Sequence, residues 1–503
     1  MKTDPVRLIL LLAVVVLGAA QGRDVDITTV GAVANAATPA TAVIQKAIDE
    51  VAGAGGGTVI IPTGKFITAP IQLRSHVTLR LERGAVLAYT DNPADARGAR
   101  AFVLAEDCED VGIEGPGTID GNGRVFEQRD SAPGRPNLVC LRNCRDAVIR
   151  NVTLRNAGSW TCRLLGCDGV RIHAVRIYSH QGYNNDGIDI DGRNIAISDC
   201  IIDCDDDAIC FKSDSPTPCE NVTVTNCVAA SNCNLIKMGT ASFGGFKNIT
   251  VSNCSLHAAS EDNRRQWKKK HEGIALDTTG ISGIALEIVD GGVMDQVCFT
   301  NITMTGIQTP VFLRLGERRN PAGALRNVII SNITATTESL ISSSITGIPG
   351  HFVENVILRD IIVHVLGQGT TAHASRAVPE KEKSYPENRM FGDSLPAYGL
   401  YVRHAKGVTL DNVQFRLRNA DARPAIVLDD AHDIELRHLR ADPPAGGAPL
   451  LRAVGSSHVL VSGFRTAQPL KQFAEIAGNA RDAVKFLDND FTGVERVSNL
   501  EPR

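Results

Sequence analysis

Acidic residues are concentrated in two short segments of the chain, NNDGIDIDG at 184–192 and CDDDAICFKSD at 204–214. Carboxylates that lie close together repel one another, which raises the pKa of at least one of them. Hydrolysis of a glycosidic bond needs such a pair, because one acid must stay protonated for the leaving oxygen while an ionised carboxylate activates water. The segments therefore predict a glycosidase-type site built from Asp186, Asp206 and Asp207.

The same acids are compatible with other interpretations. Asp-rich turns can stabilise coil corners through hydrogen bonds between side chain and backbone, and clustered carboxylates can bind calcium through their oxygens. Perturbed acids often mark functional sites, so catalysis is favoured, with no cofactor and no metal expected. Two further functions stay open: a calcium-dependent polysaccharide lyase and a non-catalytic glycan-binding β-helix.

The elements that position these acids are predicted by an internal repeat. Short segments alternate apolar and polar residues, which is typical of a strand with one buried face. Their starts are 23, 25, 27 and 27 residues apart, and the series resumes at 297 and continues to 465. One such strand cannot bury its apolar face alone, whereas stacked coils can. We therefore predict an all-β, right-handed parallel β-helix. The first segments are AVIRNVT (147–153), VRIHAVR (170–176), IAISDCI (195–201), VTVTNCV (222–228) and ITVSNCS (249–255).

A coil spans about two dozen residues, close to the 20 that separate Asp186 from Asp206, so we expect these acids to lie side by side. The open end of a solenoid must be covered. The helical spacing of apolar residues in 41–54 predicts a short N-terminal capping helix there. Residues 23–503 are predicted to form one domain, in which 366–397 is a long inserted loop near the groove.

The beginning of the chain has a secretory pattern. Lys2 and Arg7 precede an apolar run at 8–17, and small residues follow, so residues 1–22 are predicted to be a signal peptide. We expect a secreted or periplasmic monomer that does not associate with a membrane once the signal is removed. A net charge of −4 argues against nucleic acid as a partner and leaves a polysaccharide. The basic residues at 264–271 are either a solvated loop or a lip that attracts a polyanionic glycan.

Thirteen cysteines in an exported chain would usually suggest disulfides. Here five of them end similar short segments of the repeat, which favours a stack of free thiols in the core and few disulfides. No pair of CxxC-type motifs indicates a zinc cluster. The recurring cysteines are Cys144, Cys167, Cys200, Cys227 and Cys254.

Several segments, in the same order, resemble glycoside hydrolase family 28, the polygalacturonase-like enzymes. They include 55–87, 156–167, 184–192 and 206–214, and the resemblance extends over roughly 25–315. It implies a β-helix of the pectin-lyase type and an inverting hydrolase of galacturonan-type polymers.

The resemblance also implies residue roles. The Asn-Thr-Asp motif of the family is similar to the triplet Asn184, Asn185 and Asp186, and the paired aspartates are similar to Asp206 and Asp207. By this resemblance Asp206 is the general acid, while Asp186 and Asp207 hold and deprotonate the attacking water.

Two motifs of the family are absent. Residues 232–234 read Asn-Cys-Asn where Gly-His-Gly is expected, and 285–287 read Ala-Leu-Glu where Arg-Ile-Lys is expected to grip the substrate carboxylate. A glutamate there would repel galacturonate. A mixed pectic glycan, such as rhamnogalacturonan, is therefore favoured over plain homogalacturonan.

Other residues are candidates for the missing contacts. The substrate-binding candidates are Asn184, His180, Lys212 and Lys237. Alternation predicts that Asp189, Lys212 and Lys237 point outward and stack on neighbouring coils. This column is either an anion-binding feature or an exposed charge ladder that contributes little. Trp160 is either a sugar platform or part of the packing at a coil corner.

Overall fold

The computed structural model describes residues 22–35, 37–126, 134–261, 279–478 and 483–500. Residues 1–21 of the predicted signal peptide and the basic residues 264–271 lie outside these ranges. Among the described residues, no helix is both long enough and apolar enough to cross a membrane.

Short strands run through the whole described chain. Those before residue 160 are Arg23–Asp26, Gly57–Ile61, Gly64–Thr68, Ile71–Gln72, Val77–Leu81, Ala85–Tyr89, Ala101–Glu106, Gly112–Glu114, Thr118–Asp120, Asn137–Arg142, Val148–Arg150 and Thr153–Arg155. Those from 160 to 290 are Cys162–Leu165, Cys167–Asp168, Arg171–His173, Arg176–Ser179, Ile188–Ile190, Gly192–Ser198, Ile201–Cys204, Ile209–Ser213, Cys219–Thr225, Val228–Ser231, Asn234–Ser242, Phe246–Ala258 and Gly280–Ile288. The remainder are Val293–Leu315, Ala324–Thr337, Ser343–Thr346, Val353–Val365, Leu400–Leu417, Ile426–Arg437, Arg440–Ala441, Leu451–Val454, Ser457–Ser462, Leu470–Ala477, Val484–Leu487 and Val494–Ser498.

Most strands pair in parallel with a strand one coil before and a strand one coil after them. Val222, for example, is in register with Ile195 of the preceding coil and Ile249 of the following coil. The inward side chains of successive coils form one continuous apolar interior, as expected when alternating strands stack. The predicted parallel β-helix is confirmed.

Asparagine and aspartate turn the coil corners. Asn226 and Asn253 have φ values of 56° and 55°, in the left-handed region that asparagine tolerates better than most residues. Corner asparagines also bond from coil to coil: the Asn248 amide donates to Asn221 Oδ1 at 2.8 Å, and the Asn221 amide donates to Asn194 Oδ1 at 3.2 Å. These ladders pair polar groups along the edge of the solenoid.

The described ranges contain few helices, and these are short. The predicted capping helix is present at Thr41–Gly53, and its apolar face is buried through Ile44, Ala47, Ile48 and Val51. A second helix spans Thr371–Ala374, and 3-10 turns occur at Ile27–Val30, Pro93–Ala96, Gly123–Val125, Asn388–Phe391 and Ala445–Gly447.

The long segment 366–397 packs on the outside of the coils. Phe391 and Leu395 bury against the outward side chains Ala285, Phe312 and Ile341, which form a second apolar cluster separate from the interior. The Asn388 amide donates to the backbone oxygen of Ile281 at 2.9 Å and so pairs a buried polar group at the contact. This segment, which is predicted to be a long inserted loop, covers the coils that follow the acidic segments.

All thirteen cysteines are free thiols. In the repeat, each thiol points to a backbone carbonyl two residues earlier: Cys200 to Ser198 at 3.3 Å, and Cys227 to Thr225 at 3.3 Å. The expectation of stacked core thiols is confirmed.

Candidate active site

The backbone brings the three acidic residues together. The Gly187 amide donates to the carbonyl oxygen of Asp207 at 2.9 Å, and the Asp206 amide donates to Asn185 Oδ1 at 3.2 Å. Asp186, which lies between Asn185 and Gly187 in the chain, is therefore on the coil directly beside Asp206 and Asp207. All three side chains are buried.

Asp206 is arranged to keep a proton. Its Oδ1 accepts a hydrogen bond from the Asp207 amide at 2.9 Å, and its Oδ2 accepts one from the Asn184 amide group at 3.5 Å. Burial, and then the negative charge of Asp207, raise the pKa of Asp206 to about 6. Asp206 is consequently an acid that can be protonated under mildly acidic conditions.

The surroundings of Asp207 favour its ionised form. Burial by itself raises its pKa, but the Lys237 ammonium 3.1 Å from Oδ2, the charge of Lys212, and the Asn234 amide 2.7 Å from Oδ1 outweigh burial. Together they lower the pKa of Asp207 to about 2. Between about pH 2 and about pH 6, Asp207 is therefore ionised while the neighbouring Asp206 can hold a proton.

A second lysine lies between Asp186 and Asp189. Lys212 Nζ is 3.9 Å from Asp186 Oδ2 and 3.7 Å from Asp189 Oδ1. Burial, followed by the charges of Asp189 and Asp206, raises the pKa of Asp186 well above its usual value. Burial likewise raises the pKa of Asp189 to about 7, and neither of its carboxylate oxygens has a hydrogen-bond partner in the described part of the chain.

The expected exposed column of charges is wrong in two respects. Asp189 and Lys237 are buried, since the outward face of these coils is covered. In addition, the register places Lys237 beside Cys210, which itself pairs with Asp189, and so Lys212 is two residues out of this column. The two lysines have different nearest acids: Lys212 lies closest to Asp189 and Asp186, and Lys237 lies closest to Asp207.

Glu287 lies next to Lys237, and its side chain is not exposed to solvent. Its side chain is fully buried, its nearest oxygen is 4.0 Å from Lys237 Nζ, and neither oxygen has a hydrogen-bond partner among the described residues. Burial raises the pKa of Glu287 to about 8. The expectation that Glu287 presents a repelling charge to a galacturonate carboxylate is therefore wrong.

The loop 366–397 contributes one side chain to the site. The Tyr385 hydroxyl accepts a hydrogen bond from Lys237 Nζ at 3.2 Å, and its ring lies 5.4 Å from both Lys237 Nζ and the guanidinium of Arg318. About half of the Tyr385 side chain remains exposed. No motif marked this residue in the sequence, because it belongs to a loop without periodicity.

Two residues were considered in place of the histidine that the family motif has and this chain lacks: His180 and Cys233. His180 is buried, with Nε2 3.0 Å from Asp203 Oδ1 and its ring against Tyr178. Cys233 occupies the place of the motif histidine, and its Sγ and one oxygen each of Asp206 and Asp207 all lie within 4.8 Å of one another. Burial raises the pKa of the Cys233 thiol well above its usual value, so it is a neutral neighbour of the acids.

Sequence reasoning missed several supporting residues. Asn185 was identifiable as the middle of its triplet, and Asn234 as the end of the replaced motif. Arg135 had no such signal: its guanidinium donates to Asn184 Oδ1 at 2.8 Å across 49 residues of chain.

The donor groups fit calcium poorly. Among the described residues, two sets have three potential ligand atoms within 4.8 Å of one another: Asp186, Asp189, Cys210 and Asp206, Asp207, Cys233. Each set includes a sulfur, whereas calcium binds six to eight oxygens. The lysine ammoniums described above also supply the positive charge that a metal ion would otherwise provide.

The chain is similar to curated polygalacturonases. It is 30% identical over 213 residues to a probable polygalacturonase of Vitis vinifera, a match that covers 36% of this chain and 43% of that protein. It is 22% identical over 342 residues to polygalacturonase QRT2 of Arabidopsis thaliana, covering 63% and 72%. The chain thus spans less than half the length of the first relative.

Solved structures share the fold. A hyperthermoactive exopolygalacturonase from Thermotoga maritima superposes with a TM-score of 0.63 at 20% identity over 79% of this chain and 92% of that one. The tailspike protein of E. coli bacteriophage HK620 gives 0.51 at 11% identity, covering 94% and 78%. The family model described as "Glycosyl hydrolases family 28" matches residues 55–383, which is more than half of the sequence and includes every acid discussed above. The chain therefore belongs to glycosyl hydrolase family 28.

Proposed function

We propose that the chain hydrolyses glycosidic bonds of pectic glycans with inversion, using Asp206 as general acid, Asp207 as general base and Asp186 to hold the attacking water. The observation that carries this proposal is the contrast between the two neighbouring aspartates. Lys237 and Asn234 contact Asp207, whereas Asp206 faces a buried negative charge. Pairs of acids that differ in this way are the acid and base of glycosidases.

Two proton transfers occur in such a site, one from Asp206 and one to Asp207. Asp206 donates its proton to the oxygen of the leaving sugar as the glycosidic bond breaks. Asp207 accepts a proton from water as the oxygen of that water bonds to the anomeric carbon from the opposite face, which inverts the configuration. Lys237 lies next to Asp207 and keeps it ionised until the water is bound.

The family and Glu287 both support a proposal for the substrate class. The curated relatives are named polygalacturonases, and the position where the family binds a carboxylate carries a fully buried glutamate. Because a basic side chain is missing at this position, a sugar without a carboxylate is favoured beside Tyr385. A glycan that alternates uronate with neutral sugar, as rhamnogalacturonan does, is the substrate we infer.

A panel of substrates tests this proposal. The protein is incubated with rhamnogalacturonan, homogalacturonan and defined oligosaccharides, and released reducing ends are measured while proton NMR follows the anomer formed first. Asp206→Asn and Asp207→Asn are each expected to lower turnover by about 10²- to 10⁴-fold, the contribution typical of a general acid or base. Asp110→Asn, at an exposed position, is the matched control.

Three outcomes contradict the proposal. Retention of anomeric configuration excludes the inverting mechanism. Unsaturated products that absorb in the ultraviolet, and that vanish with chelator, favour the calcium-dependent lyase. Binding of glycan with no released reducing ends from any substrate favours a non-catalytic module.

We also infer export, from the N-terminal pattern of Lys2, Arg7 and the apolar run at 8–17. Expression of the full chain in a bacterial host, followed by fractionation and N-terminal sequencing, is expected to give exported protein beginning near residue 23. Retention of the uncleaved chain in the cytoplasm contradicts the inference.

A further inference from the structure

Asp189 is a buried acid that the proposed mechanism does not use. Its side chain is fully enclosed, and neither of its carboxylate oxygens has a hydrogen-bond partner in the described part of the chain. A buried carboxylate is unfavourable unless a neighbouring group compensates its charge. The ionised form of Asp189 therefore depends on a cation close to it.

Lys212 is such a cation, and two acids share it. Its Nζ lies 3.7 Å from Asp189 Oδ1 and 3.9 Å from Asp186 Oδ2. Both distances are typical of ion pairs but are longer than a hydrogen bond, so neither acid holds the ammonium alone. The side chain of Lys212 is only 12% exposed, and solvent can therefore replace little of this attraction.

The stacking of two coils sets this arrangement. Asp186 and Asp189 belong to one coil, and Lys212 lies on the next coil in the strand Ile209–Ser213. Asp189 is in register with Cys210, two residues before Lys212, so Cys210 and Lys212 point to the same face. Burial raises the pKa of the Cys210 thiol well above its usual value, and this neighbour is consequently neutral.

Arg163 is a second positive group that faces Asp189. It is in register with Asp189 on the preceding coil, but its guanidinium lies 3.8 Å from Asp214 and 4.4 Å from the centre of the Trp160 ring. The same ring lies 5.1 Å from Lys212 Nζ. Trp160 thus packs between two cations, and the ion pair of Asp189 is with Lys212.

Other charges surround the pair. Asp207 and Asp206, in the adjoining turn, disfavour the ionised form of Asp189. Lys237 repels Lys212, but its own nearest acid is Asp207 at 3.1 Å. The balance between Asp189 and the proposed water-holding acid is therefore decided mainly by their shared lysine.

We propose that Asp189 is a positioning residue for the reaction: it binds Lys212 in competition with Asp186 and so limits how strongly the lysine attracts the acid that holds the attacking water. The inference rests on the proposed function for the role of Asp186, but the competition itself does not require turnover.

Two replacements are expected to act on Asp186 in opposite directions. After burial, the charge of Asp189 raises the pKa of Asp186, whereas Lys212 lowers it. Asp189→Asn should therefore lower the pKa of Asp186, and Lys212→Met should raise it. Damage to the fold would not produce shifts of opposite sign.

Carbon-13 NMR of the protein labelled at its aspartate carboxyl groups measures these shifts without substrate. The Asp186 signal is identified by its loss in Asp186→Asn. The matched controls are Asp433→Asn and Lys406→Met, since this lysine and aspartate are also 3.9 Å apart but about half exposed. Both controls are expected to leave the Asp186 signal unchanged.

Kinetics on the substrates of the proposed function add a second measurement. Asp189→Asn and Lys212→Met are each expected to lower kcat, and Asp189→Asn should leave KM unchanged because this side chain is fully enclosed. The double variant should retain about tenfold more activity than the product of the two single losses predicts, a coupling typical of neighbouring charges.

The outcomes separate this inference from the proposed function. An unmoved Asp186 signal, or shifts of the same sign in Asp189→Asn and Lys212→Met, overturns the inference. Shifts of opposite sign in a chain that releases no reducing ends from any glycan support the competition for Lys212 and overturn the hydrolase.

Discussion

Lys237 Nζ lies 3.1 Å from Asp207 Oδ2 and donates at 3.2 Å to the hydroxyl of Tyr385, so a buried cation joins the proposed base to the loop that covers it. The lysine is almost completely enclosed. A charge in such a place must be compensated, and Asp207 is its nearest partner. Lys237 is thereby a positioning residue for Asp207.

Replacement of Lys237 by methionine is expected to raise the pKa of Asp207, because the cation that lowers it is lost. The acidic limb of the pH–rate profile should shift to higher pH, and kcat should fall about 10- to 100-fold. The profile of Lys247→Met, at an exposed lysine, should match that of the unaltered protein. A uniform fall in kcat with no movement of the acidic limb would show that Lys237 only supports the fold.

The pKa values of Asp206 and Asp207 predict how the activity of the unaltered protein depends on pH. Asp206 must be protonated to act, and its pKa is raised to about 6, whereas Asp207 must be ionised and its pKa is lowered to about 2. Activity is therefore expected between these values and should decline as pH rises through about 6. Initial rates from pH 3 to pH 9 measure this, and a maximum above pH 8 is incompatible with Asp206 as the acid.

The sequence predicts the coil and the neighbourhood of the acids because both depend on local spacing. The alternation of the strands and the sequence separation of Asp186 from Asp206 can both be read from the sequence alone. The exact register cannot: Lys237 pairs with Cys210, and not with Lys212 two residues further along the chain. The contact between Tyr385 and Lys237 could not be predicted from the sequence either, since it spans 148 residues of chain.

Glu287 makes folding stability depend on pH. Its pKa is raised from 4.5 to about 8 in the folded chain, so the folded state binds the proton more tightly than the unfolded state does. The contribution of Glu287 to the free energy of unfolding is therefore greatest below pH 4.5 and is lost as pH rises toward 8. Each pH unit in this interval contributes ~1.4 kcal/mol, which gives at most about 5 kcal/mol.

Glu287→Gln is expected to flatten that dependence, because glutamine has no proton to lose. Urea denaturation at pH 5, 7 and 9 compares the variant with Glu354→Gln, an exposed glutamate that should leave the slope unchanged. An unaltered slope in Glu287→Gln would mean that another buried group titrates instead.

The thiols should be protected by burial alone. Twelve cysteines are buried and Cys298 is partly exposed, so a thiol reagent is expected to modify about one group in the native protein and all thirteen after denaturation. Reducing agent should leave the melting temperature unchanged, since no disulfide contributes to stability. Fewer than thirteen thiols in the denatured, unreduced chain would reveal a disulfide.

The loop that carries Tyr385 is fastened by a fully buried ion pair. Arg423 Nη2 lies 2.7 Å from Asp421 Oδ2, and the same guanidinium donates to the carbonyl oxygens of Leu340 at 2.6 Å and Leu395 at 3.0 Å. Asp421 in turn accepts from the Gly369 amide at 2.9 Å. Both ends of the loop therefore depend on one arginine.

Arg423→Met leaves Asp421 buried without its partner, and the expected loss is about 3–5 kcal/mol of unfolding free energy. Arg437→Met breaks an arginine–glutamate pair of the same two-residue spacing that is largely exposed, and there the expected loss is below about 1 kcal/mol. Chemical denaturation measures both variants. If Arg423 fastens the loop, its replacement should also weaken protection of the 366–397 amides from hydrogen exchange, while amides of the coils before residue 260 keep theirs. Equal small losses in the two variants would show that the loop is held by its apolar contacts, Phe391 and Leu395, and not by the ion pair.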